Sequence, residues 1–320
     1  MNSKEIVKKA IKMQNPPKVP LFYTNMFQER SDLSFVSLAA PRDFVPDVPG
    51  RTEWGFIWHS LNLTIGQAED RPLEESWDLF DDYKSPDPKH TDRYMYVDQT
   101  IALTPDKYIV GHIGITGFNL ATFIRGFANF LEDLYIEPEK ADKLLDMVFS
   151  FEEEEIKEFC KHDIDAISFF DDWGTQNTLM INPEKWREDF KPRYKKQFDL
   201  VHSLGKDVFF HCCGQIIDII PDLIEIGADI LNLNQPDLFG IENLGRLYSG
   251  KVCFNLPVDH QTVALSGTRE EIFDYVKRLN DNIGNHNGGF IGNIEEYSIC
   301  GMTEERYNNI VEAFESLNRR

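Results

Sequence analysis

Through the last two thirds of the chain, short apolar runs alternate with longer stretches of helical period. KYIVGHIG reads as a strand, TGFNLATFIRGFANFLEDLY as a helix, and PEKADKLLDMVFSFEEEEIKEFCKH as a long helix with Pro138 near its first turn. DAISFFDDWGTQ is a strand ending in a charged loop, and PEKWREDFKPRYKKQFDLVHSLG is a helical stretch closed by Gly205. An apolar strand over 207–210 then runs into His211, Cys212, Cys213 and Gly214, followed by helical spacing from Ile216 to Ile226 and a strand from Ile230 to Leu233. KVCFNLP is a strand ending in Val258, Asp259 and His260. Residues 269–283 form a helix, GGFIGN a last strand and TEERYNNIVEAFESLNRR a terminal helix. Strand–helix alternation predicts right-handed βαβ units and a parallel sheet. At least six units in one run suit a closed (β/α)8 barrel of the TIM type better than an open sheet. No glycine-rich fingerprint follows the first strand, which weakens a dinucleotide-binding fold.

The first third is less regular. Residues 3–13 have the spacing of an amphipathic helix, ended by Pro16, Pro17 and Pro20. VPLFYTN reads as a first strand that delivers Tyr23, Asn25 and Met26 to a loop. Residues 27–105, rich in Pro, Asp and Trp, form an elaborated excursion in which EWGFIWHSLNLTIGQAEDRPL suggests a short strand pair or an elaborated loop. Such a long irregular stretch is expected to cover a functional site. The chain shows no fixed-period repeat or linker, so residues 1–320 are taken as one domain with the excursion inside it.

A formal net charge of −21 argues against nucleic acid or an anionic membrane as partner, since no Lys/Arg cluster offers a local exception. The start lacks the apolar core of a secretory signal and no run reaches membrane-spanning length, which points to a cytoplasmic protein. The five cysteines then read as thiols or metal ligands rather than disulfides.

Candidate chemistry collects at strand ends. His211 and Cys213 alternate with Cys212, so their side chains share one face. Cys300, in EEYSICGM between the last strand and the last helix, can reach the same barrel mouth. One imidazole and two thiolates with a vacant fourth position make a catalytic zinc pattern. The bland reading stands beside it: cysteine is often a small buried hydrophobe, as expected for Cys160, Cys212 and Cys253. Asp171 reads as a turn or capping acid, whereas Asp172 and Gln176 are candidates for the pocket. Asp259, with His260 and Gln261, and Asn234, with Gln235, recur at later strand ends. Tyr23, Trp54 and Asn234 are the candidates for substrate contact. The aromatic group Trp54, Phe56, Trp58, Trp77, Phe80 and Tyr83 is either packing of the excursion or a lid over a planar ligand. The acidic run Glu152 to Glu155 reads as a solvated helix face.

FDDWGTQ, HCCGQIIDIIPDLIEIGADILN, CGMTEERYNNIVEAF and GHIGITGFNLATFIRGFANFLEDLYIEPEKADKLLD together resemble the uroporphyrinogen decarboxylase superfamily, over roughly residues 105–318. The resemblance implies one (β/α)8 barrel with its site at the carboxyl end of the strands. The superfamily divides into cofactor-free decarboxylases and zinc-dependent, corrinoid-linked methyltransferases. The arginine-rich N-terminal segment of the decarboxylases has no counterpart, the first arginine being Arg30 in FQERSDL. A polyanionic porphyrinogen is a poor match for a strongly acidic chain without it. Decarboxylases carry His-Gly before the terminal helix, where this chain has Cys300-Gly301. The methyltransferase branch implies zinc ligands at His211, Cys213 and Cys300, with Glu295 or Glu296 as a further ligand or outer partner.

The function this implies is methyl transfer between a small donor, such as an aromatic methyl ether, or a thiol or folate acceptor, and a corrinoid carried on a partner protein. Asp172, Gln176, Asn234 and Asp259 would line the pocket. The rival readings are decarboxylation of a porphyrinogen and non-catalytic binding of a tetrapyrrole or corrinoid.

Overall fold

Alternation of apolar side chains within short strands, interrupted by amphipathic helices, produces a parallel barrel in the computed structural model, which describes residues 1–24, 26–60 and 66–319. Its strands are β1 (Leu21–Tyr23), β2 (Leu33–Ser37), β3 (Tyr108–Ile115), β4 (Ala166–Phe170), β5 (Asp207–Cys212), β6 (Ile230–Leu233), β7 (Cys253–Leu256) and β8 (Phe290–Ile294). Each of β2 to β8 pairs in parallel with the next, and β8 pairs with β1 through Leu21↔Gly292. The remaining seam, β1 against β2, is tied differently. Asp32 donates its N–H to Leu21 O at 2.8 Å, and its carboxylate accepts from Leu21 N at 2.9 Å and from Lys18 Nζ at 2.8 Å. The expected (β/α)8 architecture is therefore present, as a barrel closed by seven ladders and one side-chain staple.

Strand β2 lies inside the stretch read as an excursion, because DLSFVS is too short to stand out among its Pro- and Asp-rich neighbours. The expected strand pair also forms, Ile57–Ser60 antiparallel to Gly66–Glu69, although its 61–65 connection lies outside the described residues, as does Asn25. Two expected helices divide. Gly126, at φ +93°, separates Gly117–Arg125 from Phe127–Ile136, and Phe190 separates Pro183–Asp189 from Lys191–Ser203. The long helix Pro138–Phe159 forms as read, with Pro at its start where no N–H is needed. The helix expected from Ile216 is confined to Ile220–Glu225. Among the described residues no helix is long and apolar enough to cross a membrane.

Two packed layers result. Inward residues such as Val110, Phe209 and Ile291 fill the barrel, while Phe169, Val208 and Phe210 face the helices. Barrel strands offer their inward side chains at the carboxyl end to a common mouth. In β5 the same alternation that buries Phe209 turns His211 inward.

Candidate functional site

His211 sits at the end of β5, 8% exposed, with its ring stacked on Phe170 at 4.4 Å. Register places His211 opposite Asn232 and Asn232 opposite Asn255. A hydrogen-bond ladder follows that register. Asn232 Nδ2 donates to Asn255 O at 3.0 Å and Oδ1 at 2.9 Å, and Asn255 Nδ2 donates to Ile291 O at 3.2 Å. Because the Asn232 amide nitrogen is committed, its Oδ1 faces His211 Nδ1 at 2.6 Å and accepts a hydrogen bond there. The network thus assigns the Nδ1–H tautomer and leaves the Nε2 lone pair free.

That lone pair faces two further donors. Cys213 Sγ lies 3.5 Å from Nε2, as does Asp172 Oδ1. Asp172 Oδ1 also accepts from Cys213 N at 2.7 Å, which ties the loop after β4 to the loop after β5. The two loops touch backbone to backbone. A Cβ on Gly214, at φ +79°, would come 2.1 Å from Gly174 O, so glycine is needed there for both conformation and space. Gln215 N donates to Thr175 O at 2.7 Å across the same contact.

The donor atoms of Asp172, His211 and Cys213 lie within 4.8 Å of one another, and among the described residues no other such group includes His211 or Cys213. One nitrogen, one sulfur and one oxygen are a donor set that suits Zn²⁺ with an open coordination position. Burial, with Asp172 adding to it, holds the Cys213 thiol well above its ordinary range. A thiol beside a carboxylate is an environment that a cation stabilises and a second anion does not. The group therefore fits a soft divalent metal.

Cys300 stands outside this group. It is exposed in the one-turn helix Ser298–Cys300, and the third member of the group is Asp172. Tyr297 is influenced by both: its phenol is raised first by burial and then by Glu295, Cys300 and Cys213. Glu295 is half-buried, with its carboxyl pushed up to about 7 by desolvation and then by Glu296. Its Oε2 lies 3.7 Å from His260 Nε2. Burial and then His211 hold His260 down to about 4, so its imidazole is neutral at pH 7.

The other expected residues fall in different places. Asn234 lines a cavity of about 320 Å³ that also reaches His211, Phe170, Asn293 and Glu295. Tyr23 contributes to the same wall, yet its hydroxyl donates to Glu315 Oε1 at 3.1 Å on the terminal helix Glu304–Ser316. Asp259 is buried and accepts from Gln261 N at 2.9 Å and Asp237 N at 3.2 Å, holding the loops after β6 and β7 together. Gln176 is exposed on the loop after β4. Asp171 accepts from Phe118 N and Asn119 N at 2.9 and 2.8 Å, capping the helix Gly117–Arg125, as expected of a loop-holding acid.

Trp54 lines a second cavity at the mouth, of about 370 Å³, walled by Trp54, Phe56, Trp58, Phe123 and Phe151 and floored by His112. Trp77 and Phe80 lie away from it; Trp77 Nε1 donates to Asp133 Oδ2 at 3.1 Å. The acidic run is a correction. Glu152 and Glu155 are 2% and 3% exposed rather than solvated, because they fall on the stripe of Leu145, Val148, Ile156 and Phe159 that faces the barrel. Glu155 and Arg93 line the second cavity, and Arg93 Nη2 pairs with Glu53 Oε1 at 2.6 Å.

Asn232 and Asn255 were not singled out from the sequence. Their signal was present: ILNL and CFNL each set an asparagine at the third place of an otherwise apolar strand.

No curated protein matches the sequence. Among solved structures, a methyltransferase from Methanosarcina mazei superposes with a TM-score of 0.71 over 100% of both chains at 13% identity, a likeness of fold. D-psicose 3-epimerase follows at a TM-score of 0.45 and 12% identity, over 72% of this chain and 86% of that one. A 3-keto-D-glucoside 4-epimerase from E. coli follows at 0.43 and 14%, over 69% and 82%. The family model for uroporphyrinogen decarboxylase (URO-D) matches residues 67–316, from the hairpin before β3 to the end of the terminal helix. With that match over most of its length, this chain belongs to the uroporphyrinogen decarboxylase family.

Proposed function

We propose that this family member is a zinc-dependent methyltransferase, moving a methyl group between a small donor or acceptor and a corrinoid carried by a partner protein. The observation that carries the reading is the His211 Nε2 lone pair facing Cys213 and Asp172 at a barrel mouth. His211, Cys213 and Asp172 would hold the ion, with Cys300 as the further thiol that the superfamily resemblance implies. Bound there, the ion would supply Lewis acidity toward a thiol or a methyl-bearing heteroatom.

The protein's own groups do the rest. Asn232 orients His211 through Nδ1, and such outer partners typically govern metal affinity strongly. Asn234 and Glu295 line the adjoining cavity and would position the reacting group. Gln176 would stand on the rim and Asp259 would keep the loops in register. A decarboxylase of porphyrinogens is disfavoured because, among the described residues, the one arginine lining either cavity is Arg93, already bound by Glu53.

Elemental analysis of the purified chain is expected to give about one zinc, with little left in Cys213→Ser. Cys300→Ala is expected to retain the ion but bind it more weakly. The loaded protein should transfer methyl between methylcobalamin and a thiol, followed by the change in corrinoid absorbance. A wild-type chain that takes up no zinc on titration would overturn the reading.

A further inference from the structure

We propose that the chamber walled by Trp54, Phe56, Trp58, Phe123 and Phe151 binds a methylated onium cation, either a quaternary ammonium or a sulfonium, with Glu155 as its counter-ion. Five aromatic residues line one cavity, and aromatic rings attract a cation unable to donate hydrogen bonds. The charges inside select the same guest. Arg93 donates from Nε to Asp87 O at 2.7 Å and pairs through Nη2 with Glu53 at 2.6 Å. Its Nη1 lies 3.9 Å from Glu155, beyond hydrogen-bond reach. Glu155, with its side chain 4% exposed, accepts no hydrogen bond among the described residues. Glu152 is occupied otherwise, accepting from Gly117 N and Gln197 Nε2, both at 2.7 Å.

One buried carboxyl group, paired with Arg93 only at 3.9 Å and without a hydrogen bond among the described residues, thus stands at the edge of an aromatic box. An anionic guest would have to break the Arg93–Glu53 pair, whereas a cation gains a counter-ion when Glu155 ionises, which a neutral guest does not. A volume near 370 Å³ suits a molecule the size of choline, not a tetrapyrrole. The position is also suggestive of use. His112 on the chamber wall and His211 at the metal-fitting group flank the same ring, Phe170, at centroid distances of 4.6 and 4.4 Å. That the guest's methyl is the one transferred rests on the preceding reading; that the guest binds does not.

Burial, opposed by Arg93 and reinforced by Glu152 and Glu53, pushes the Glu155 carboxyl up to about 8. His112, the other titratable wall group, is held down to about 4 by burial and His211, and stays neutral. Binding a permanent cation below pH 8 should therefore release a proton from Glu155.

Isothermal titration of the full chain with choline, trimethylsulfonium and the neutral choline isostere 3,3-dimethylbutan-1-ol tests this. At least one cation is expected to bind about tenfold or more tighter than the alcohol. Its affinity should rise roughly tenfold from pH 6.5 to 8.5, with proton release seen as a dependence of the heat on buffer ionisation. The tighter of the two cations identifies the onium class. Glu155→Gln should remove both the preference and the proton release, and Trp58→Leu should weaken the cation more than the alcohol. Equal binding of cation and alcohol by the wild type, or no binding of either cation, overturns the proposal. A chain that holds zinc but does not discriminate the cation refutes this inference alone. One that discriminates the cation but holds no zinc refutes the metal reading alone.

Discussion

Two sites meet across Phe170, and they are built on opposite principles. On one side His211 is carried by a central strand, held at Nδ1 by Asn232 and at its ring face by Phe170. Every polar atom there is oriented by register and hydrogen bonds. On the other side Glu155 is carried by the long helix and Arg93 by the short helical turn Thr91–Tyr94, and Glu155, 3.9 Å from Arg93, accepts no hydrogen bond among the described residues and borders five rings. The first arrangement aims a lone pair. The second keeps a carboxyl group without a hydrogen bond, its pKa raised by burial, at the edge of an apolar box. A metal ligand needs direction, which a strand end with an amide ladder provides, whereas a diffuse cation needs only field and shape.

The largest effect that would separate the two is expected from Phe151→Ala. Phe151 is 7% exposed and holds Trp54 edge-on at 4.7 Å, so its removal should cost about 3–5 kcal/mol in urea unfolding. Zinc content should stay unchanged; if it falls with stability, the two sites are one cooperative unit. Next, Asn232→Ala frees the tautomer of His211 and leaves Asn255 without its donor. Zinc affinity measured by competition with a chelator should fall about 10–100-fold. An unchanged affinity would mean that the ladder only packs the barrel.

The smallest expected effect is electrostatic. Glu155 is raised from 4.5 to about 8, so between those pH values the folded chain binds more protons than the unfolded one. Stability from this group is complete below 4.5 and is lost as pH rises through 8. Glu155→Gln should therefore gain about 1–2 kcal/mol relative to wild type between pH 7 and pH 9. Denaturation curves at the two pH values give the difference. A pH-independent difference would show that Glu155 stays ionised against Arg93, which would make the two sites more alike than argued.

Much of the barrel was legible from local pattern. Strands β3 to β8 follow from apolar runs bounded by turns, and the long helix from Pro138 and its apolar stripe. The break at Gly126 was hidden because both halves keep the same apolar spacing, so periodicity runs through the break. Glu152 to Glu155 misled for a different reason. Four acids in a row read as solvent by composition, yet Glu152 and Glu155 are three residues apart on the buried stripe, and spacing outranks composition on a helix. At the site, the alternation HCC correctly put His211 and Cys213 on one face.

By itself the sequence determined the alternation of strands and helices, the strand-end placement of His211, Cys213 and Asp172, and an acidic chain without a basic patch. These are local properties, written in the spacing of a few neighbouring residues. Only the tertiary structure decided that Asp172 lies together with His211 and Cys213, and that Asn232 sets the His211 tautomer. It also decided that Trp54, Arg93 and Glu155 enclose one chamber. Those outcomes depend on which strands become neighbours, in what register, and on which helix face is buried. Such contacts join residues far apart in the chain, and no local pattern encodes them.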